Sequence, residues 1–242
     1  MLMSSQASKT FVLVAGAGHG GWVWRELREG LLAAGHRVFT PTLTGVGERS
    51  HLLSSEITLS THIDDVANLF LWEDLQDVIL VGHSYAGWVI SGAVEKLEGR
   101  VNAIVYLDAF LPEDQNRGLD FLNEKQKEAF SQALERNEAS RAGPTSAALR
   151  IQDPVKAAWV DSKITPQPIG VSLERLQLTG ARERVPSKLY VRTPLFPQPY
   201  FDEALARCEA DPSWRTAILP DCGHDPMVDR PDLVMNLLLS MS

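Results

Sequence analysis

Short apolar runs alternate with segments of helical periodicity along most of the chain. Six runs are typical of strands, at about residues 11–15, 37–40, 78–82, 102–108, 188–193 and 214–219. Helices are predicted between them, at about 21–34, 60–72, 84–97, 199–209 and 230–240. One face of the second helix is apolar at helical spacing, through Ile63, Val66, Ala67, Phe70 and Leu71. This alternation predicts an α/β fold with a mostly parallel, doubly wound sheet and helices on both faces.

The alternation breaks over residues 112–186, after the strand that ends at Asp108. Helical patterns occur there around 121–136 and 172–178. Because this insertion enters at the sheet edge where ligands bind, we expect a helical lid over the site. The length suits one domain, so we treat residues 1–242 as a single domain with the lid 112–186 inside it.

A serine stands where the third predicted strand turns directly into a helix. The local sequence is Gly82-His-Ser-Tyr-Ala-Gly87. Small residues two places either side of Ser84 permit the sharp, strained turn that lifts a nucleophilic hydroxyl above a sheet. Ala86 stands where the strict G-x-S-x-G pattern has its last glycine. The alternative interpretation is a serine that only caps the helix N-terminus.

A nucleophilic serine needs a base within hydrogen-bond reach and an acid behind that base. The chain has six histidines, and His224 lies on a loop between the last predicted strand and the final helix. A histidine late in the chain fits the order serine, acid, histidine. The alternative is a loop histidine that binds only backbone. His83 adjoins the serine, but its side chain is expected to point away.

Three segments together resemble the α/β-hydrolase superfamily, within it the branch of plant methyl-ester esterases, hydroxynitrile lyases and their bacterial relatives. They are Phe11-Val-Leu-Val-Ala-Gly-Ala-Gly-His-Gly-Gly-Trp-Val-Trp24, the turn around Ser84, and Gly223-His-Asp-Pro-Met227. The resemblance covers about residues 11–240 and implies a reaction without metal or organic cofactor. An oxyanion hole is expected from the N–H of Tyr85, after the serine, and by resemblance from the N–H of Ala17.

The acid departs from the pattern of the family it resembles. Most of that branch has an aspartate near the position of Phe196, where this sequence has no carboxylate. Asp108 ends an apolar strand at the ligand-binding edge, where a carboxylate would need a partner. Some α/β-hydrolases, certain haloalkane dehalogenases among them, take their acid from that strand end. We predict Asp108 as the acid and Asp202 as the second choice. A structural carboxylate that caps backbone N–H groups is the alternative for Asp108.

The predicted function is hydrolysis of a small, largely apolar carboxylic ester through an acyl-enzyme. Substrate contacts are expected from Gly16, His19, Phe110, Phe121 and Trp159. A carbon–carbon bond hydrolase or a cofactor-free oxygenase could use the same catalytic residues, and a ligand-binding homologue without turnover is a further alternative.

Two other functions are disfavoured by single residues. A hydroxynitrile lyase of the branch it resembles typically has Thr and Lys where this chain has Gly16 and Asp225. The run Gly16-Ala-Gly-His-Gly-Gly21 also satisfies G-x-G-x-x-G, the pattern of a dinucleotide site. No acidic residue ends the second predicted strand, as such a site requires.

Composition and charge narrow the partners. The net charge of -8, from 31 acidic and 23 basic residues, argues against nucleic acid or an anionic membrane. No apolar run reaches the roughly 20 residues of a membrane span, and no signal-peptide pattern is present. Cys208 and Cys222 form neither a disulfide framework nor a metal set, so we expect a cytoplasmic protein. A small-molecule ester is the expected partner, and homodimerisation is left open.

Overall fold

The computed structural model describes residues 8–97 and 99–241, and a parallel sheet forms its centre. The strands are β1 (Thr10–Val14), β2 (Arg37–Phe39), β3 (Val78–His83), β4 (Val101–Leu107), β5 (Ser140–Arg141), β6 (Gln167–Pro168), β7 (Ser187–Arg192) and β8 (Trp214–Ile218). Six of them pair in parallel in the order β2-β1-β3-β4-β7-β8. The two short strands β5 and β6 pair antiparallel outside this sheet.

Helices cover both faces of the sheet. They are α1 (Arg25–Ala33), α2 (Leu59–Trp72), α3 (Ala86–Lys96), α4 (Glu124–Glu135), α5 (Ser146–Leu149), α6 (Pro154–Asp161), α7 (Pro199–Ala210), α8 (Pro226–Asp229) and α9 (Pro231–Leu239). Alternate residues of each strand face opposite sides, so the core divides in two. Val12 and Val14 belong to the hydrophobic cluster that includes residues of α2, α3 and α7, whereas Phe11 and Leu13 belong to the cluster that includes residues of α1 and α9. The predicted doubly wound α/β fold is confirmed.

The strand register brings the ends of β3, β4 and β7 together at one edge. His83 pairs with Leu107, so Ser84 and Asp108 follow at the same level of the sheet. The N–H of Ser84 donates to the carbonyl of Leu107, and the N–H of Asp108 donates to the carbonyl of Val191, at 3.3 and 2.7 Å. Two side chains far apart in sequence therefore project from neighbouring strand ends.

Residues 112–186, the predicted lid, connect β4 to β7 and contain α4, α5, α6 and the β5–β6 pair. The helical pattern around 121–136 corresponds to α4. The helix predicted around 172–178 is wrong, because Leu176 exchanges backbone hydrogen bonds with residues 115 and 116 instead of with its own segment. Among the described residues, no helix is both long and apolar enough to cross a membrane.

Candidate active site

Ser84 lies in a strained turn between β3 and α3. Its φ of 54° is in the left-handed region, which a non-glycine residue adopts only when the surroundings enforce it. Close packing explains the small residues nearby. A Cβ added at Gly82 would stand 2.7 Å from Ile90 Cδ1, and one added at Gly16 would stand 2.9 Å from the Cβ of Ser84. The turn therefore has the geometry that the sequence predicts.

His224 reaches the serine from the loop after β8. Its Nε2 lies 2.7 Å from Ser84 Oγ, and its Nδ1 lies 2.6 Å from Asp108 Oδ2. A carboxylate can only accept, so the proton of a neutral ring sits on Nδ1 and Nε2 is free to accept the serine proton. The backbone N–H of His224 donates to the carbonyl of Leu149 at 2.7 Å, which anchors this loop to α5.

Asp108 is fully buried and remains a carboxylate because three donors surround it. Oδ2 accepts from His224, while Oδ1 accepts from Arg192 Nη1 at 2.8 Å and from the N–H of Thr193 at 3.0 Å. Burial favours the protonated form, but the His224 and Arg192 contacts together hold the pKa of Asp108 below its usual range. The group is therefore ionised at neutral pH.

The second-choice acid, Asp202, lies near this centre without touching the histidine. Its Oδ1 accepts from Arg192 Nε at 2.8 Å, and its side chain is 62% exposed. Arg192 thus links the two carboxylates, with Asp108 on its buried side. Sequence reasoning missed this arginine because it reads as the polar end of strand β7.

An aromatic ring occupies the region where the branch it resembles has its acid. The ring of Phe196 stacks on the imidazole of His224, with centroids 4.0 Å apart and planes inclined by 19°. Phe201 stacks at 5.7 Å. These contacts restrict the orientation of the imidazole, and the carboxylate reaches it from β4 instead.

The two backbone donors predicted for an oxyanion hole are free. Within residues 8–97 and 99–241, neither the N–H of Ala17 nor that of Tyr85 donates a hydrogen bond to the protein. The Tyr85 hydroxyl donates to His62 Nδ1 at 3.0 Å, and His62 Nε2 donates to the carbonyl of Thr44 at 2.8 Å. This chain of bonds fixes the tyrosine ring beside the serine.

A cavity of about 60 Å³ lies next to the serine turn. Its walls are mainly aromatic and aliphatic, with one cation and one hydroxyl from the lid: Tyr85, Trp88, Phe110, Gly118, Phe121, Leu122, Arg141, Val171 and Ser172. Phe110 and Phe121 were predicted to contact substrate. Arg141 and Val171 were not, because their approach depends on how the lid folds back.

Two predicted substrate contacts lie elsewhere. Trp159 packs edge-on against Trp22 at 5.1 Å, and the guanidinium of Arg25 lies over its ring at 5.2 Å. It lines a different cavity, beside α1 and α8. His19 is 2% exposed, and both of its ring nitrogens are hydrogen-bonded within the protein. Neither side chain lines the cavity beside Tyr85. Gly16 adjoins Ser84 directly.

A third carboxylate was missed by sequence reasoning. Asp225 follows His224, is fully buried, and contacts His19 and His83. Its position next to His224 in the sequence was the only signal that could have pointed to it. In the described part of the chain, no group of three or more His, Cys, Asp or Glu side chains is arranged to hold a metal ion.

Fold and site together define a class of protein. A serine in a strand–turn–helix elbow at the carboxyl edge of a parallel sheet, followed later by a loop histidine, is the arrangement of the α/β-hydrolases. A sequence model described as "Alpha/beta hydrolase family" matches residues 11–237. The chain belongs to the alpha/beta hydrolase family.

Several known proteins are similar to this chain. A carbendazim hydrolyzing esterase of Nocardioides sp. (strain SG-4G) is 36% identical over 240 residues, which is 96% of this chain and 98% of that protein. Methylesterase 7 of Arabidopsis thaliana is 35% identical over 116 residues, covering 47% of this chain and 45% of its own length.

A solved structure has the same fold. It is an extracellular alpha/beta-hydrolase from a Paenibacillus species, described as sharing structural and functional homology with tobacco salicylic acid binding protein 2. It matches with a TM-score of 0.82 and 23% identity, over 97% of this chain and 99% of that one. The family and the esterase relatives support a hydrolase that acts on esters.

Proposed function

We propose that the protein is a serine hydrolase that cleaves a small, largely apolar carboxylic ester through an acyl-enzyme. One observation carries the proposal: Ser84 Oγ, the His224 ring and Asp108 form a continuous hydrogen-bonded chain with distances of 2.7 and 2.6 Å. The strained turn at the serine and the free N–H groups of Ala17 and Tyr85 support it.

The geometry supports the following sequence of steps. His224 Nε2 takes the proton of Ser84 as Oγ attacks the ester carbonyl. The N–H groups of Ala17 and Tyr85 bind the oxygen that becomes negative. His224 then gives its proton to the departing alcohol, and water hydrolyses the acyl-enzyme by the same route. Asp108 keeps the histidine proton on Nδ1 and stabilises the imidazolium that forms.

The cavity beside Tyr85 suits the acyl part of such a substrate. Trp88, Phe110 and Phe121 form aromatic walls, and the volume of about 60 Å³ favours a small group. We propose that the lid, residues 112–186, excludes water from the acyl group, because Phe121, Leu122 and Arg141 all belong to it.

The relatives suggest the alcohol part. Methylesterase 7 and the carbendazim hydrolyzing esterase are both named as esterases, and the first name specifies a methyl ester. We propose that small esters, methyl esters among them, are the substrate class. The missing carboxylate near Phe196 leaves a binding protein without turnover as an alternative, and the contact between Asp108 and His224 weakens that argument.

Turnover of 4-nitrophenyl acetate, compared between the wild-type protein and Ser84→Ala, tests the proposal. We expect the released nitrophenolate to depend on the serine. Equal rates in both proteins would contradict it. A protein that a serine-directed phosphonate modifies, but that turns over neither this acetate nor a panel of methyl esters, would point to carbon–carbon bond cleavage or to oxygenation.

Partners and location remain proposals. We propose a small-molecule ester as the partner, no binding of nucleic acid or membrane, and a cytoplasmic setting. The acidic net charge of -8 and the two buried free thiols, Cys208 and Cys222, support this view.

A further inference from the structure

A second group of buried ionisable side chains lies behind the serine and its histidine, and the proposed mechanism leaves it unused. It consists of His19, His83 and Asp225, each at most 2% exposed. Asp225 Oδ2 lies 3.1 Å from His19 Nε2, and Oδ1 lies 3.5 Å from His83 Nε2. A carboxylate buried this completely is costly unless a partner compensates its charge.

Hydrogen-bond partners assign the charge of His19. Its Nδ1 lies 2.9 Å from the carbonyl oxygen of Ala17, which can only accept, and its Nε2 contacts the Asp225 carboxylate. Both ring nitrogens therefore carry protons, since a neutral pair would leave the proton on Asp225, the weaker base. Burial opposes this charge, but Asp225 raises the pKa of His19, and the pKa of Asp225 lies well below its usual range.

His83 stays neutral beside this pair. Its Nε2 donates to the carbonyl of His224 at 2.8 Å, and its Nδ1 has no partner among the described residues. Burial and the nearby His224 lower the pKa of His83 to about 3. His19 is therefore the cation that compensates Asp225.

These contacts join the segments that carry the proposed reacting groups. His19 holds the carbonyl of Ala17, and Asp225 is the neighbour of His224 in the chain. His83 precedes the nucleophile and holds the carbonyl of His224.

The peptide that follows Ala17 is held at both of its polar atoms. Its carbonyl accepts from His19, and its N–H, that of Gly18, donates to Gln167 Oε1 at 2.8 Å. Gln167 is 1% exposed. The loop after β1 is thus fixed where it passes the nucleophile.

We propose that His19 and Asp225 are positioning residues: as a buried imidazolium–carboxylate pair, they fix the N–H of Ala17 relative to His224. The inference rests on the proposed function, because it assigns the Ala17 N–H to the oxyanion. Charge-assisted hydrogen bonds hold such a geometry more firmly than neutral ones. A misplacement of about 1 Å can cost roughly 100-fold in rate.

His19→Ala and Asp225→Ala test the positioning role through kinetics. We expect each to lower kcat about 100-fold while KM changes less than about threefold, because the contact acts in the transition state. The double variant should lose no more than either single variant, since the two residues act as a unit.

Inhibitor binding separates this role from a purely structural one. A boronic acid forms a tetrahedral adduct on Ser84 that places an oxygen in the oxyanion hole. We expect its affinity to fall in the alanine variants by the same factor as kcat/KM, while the affinity for the carboxylic acid product is unchanged. A general loss of folding would reduce both affinities together.

Two further variants complete the design. Asp225→Asn keeps the shape of the contact and removes its charge, so we expect partial recovery, to a kcat about tenfold below that of the wild type. Glu95→Ala is the matched control, because Glu95 accepts from Thr179 and Ala181 at the far end of α3. It should lower the unfolding temperature without changing kcat.

Three results would overturn the inference. The first is a kcat within twofold of wild type in folded His19→Ala and Asp225→Ala. The second is a parallel loss of boronic acid and product affinity. The third applies if the alanine variants do not fold: it is an Asp225→Asn protein that binds the boronic acid as tightly as the wild type does. Full ester turnover in Ser84→Ala would instead sink the proposed function itself.

Discussion

Two histidine–carboxylate pairs are buried close together at the carboxyl edge of the sheet, and they differ in what faces the second ring nitrogen. In the His224–Asp108 pair, Nε2 faces the hydroxyl of Ser84, which can give up a proton. In the His19–Asp225 pair, Nδ1 faces a carbonyl oxygen, which cannot. The first ring can therefore act as a base, whereas the second is saturated with protons. The two rings thus differ in one partner: a hydroxyl donor faces His224 Nε2, and a carbonyl acceptor faces His19 Nδ1.

The carboxylates differ in the same sense. Asp108 has Arg192 and Thr193 as donors besides the histidine, so it can remain ionised while His224 changes its protonation state. Asp225 has His19 as its hydrogen-bonded counter-ion, and its Oδ1 has no hydrogen bond among the described residues. The second pair is therefore stable only while His19 keeps the proton on Nε2 that it donates to Asp225.

Removing the hydroxyl that distinguishes the first pair should have the largest effect. We expect Ser84→Ala to lower kcat for ester hydrolysis by about 10⁵-fold or more, because no acyl-enzyme can form. Stopped-flow or steady-state measurement of nitrophenolate release gives this change in kcat. His224 would keep its bond to Asp108, so the unfolding temperature should stay near that of the wild type.

Amide substitutions compare the carboxylates directly. Asp108→Asn should lower kcat about 10⁴-fold, because the amide favours the wrong tautomer of His224. Asp202→Asn should change kcat less than about twofold, since its partner is Arg192 and not the histidine. A large loss of activity in the Asp202 variant, with activity kept in the Asp108 variant, would show that Asp202 and not Asp108 is the acid.

The neutral histidine between the pairs should make folding sensitive to acid. The pKa of His83 is about 3 in the folded protein, so the unfolded chain binds the extra proton preferentially below about pH 6.5. Stability should therefore fall as the pH drops, by about 2 kcal/mol between pH 6.5 and 5 from this group alone. Urea unfolding at both pH values, in wild type and His83→Gln, measures the difference. An identical pH dependence in the two proteins would contradict a neutral, buried His83.

Selectivity for the length of the acyl chain should depend on residues on the side of the His224–Asp108 pair and not on those on the side of the His19–Asp225 pair. Phe121→Ala enlarges the cavity beside Tyr85, so we expect the ratio of kcat/KM for a butyrate over an acetate ester to rise about tenfold. Trp159 packs against Trp22, which stacks on His19, so it lies on the side of the second pair. Trp159→Ala should therefore leave the ratio unchanged. A shift in the Trp159 variant alone would move the acyl pocket to the other cavity.

The sequence predicted what depends on local pattern. The sheet follows from apolar runs, and the elbow at Ser84 follows from small residues around a serine. Asp108 could be predicted because an acidic residue ends an apolar strand whose edge was known. The helix expected around 172–178 was wrong, since its periodic leucines pack within a segment that pairs with residues 115 and 116.

What could not be predicted depends on contacts between distant segments. Arg192 reads as a strand terminus, and its role appears only when β4 and β7 are neighbours. Asp225 gains its partner from a loop more than 200 positions earlier, with a separation of 206. Trp159 is a large aromatic residue in the lid, of the kind expected to contact substrate, but its helix packs it against Trp22. No periodicity or spacing encodes these distances.

Covalent trapping tests the central claim most directly, that Ser84 is a nucleophile activated by His224 and Asp108. The protein would be treated with a fluorophosphonate, and the adduct located by intact-mass measurement and peptide mapping. We expect one adduct, on the peptide that contains Ser84, absent in Ser84→Ala and formed far more slowly in Asp108→Asn. An unlabelled wild-type protein, or an equal label in Ser84→Ala, would contradict the account.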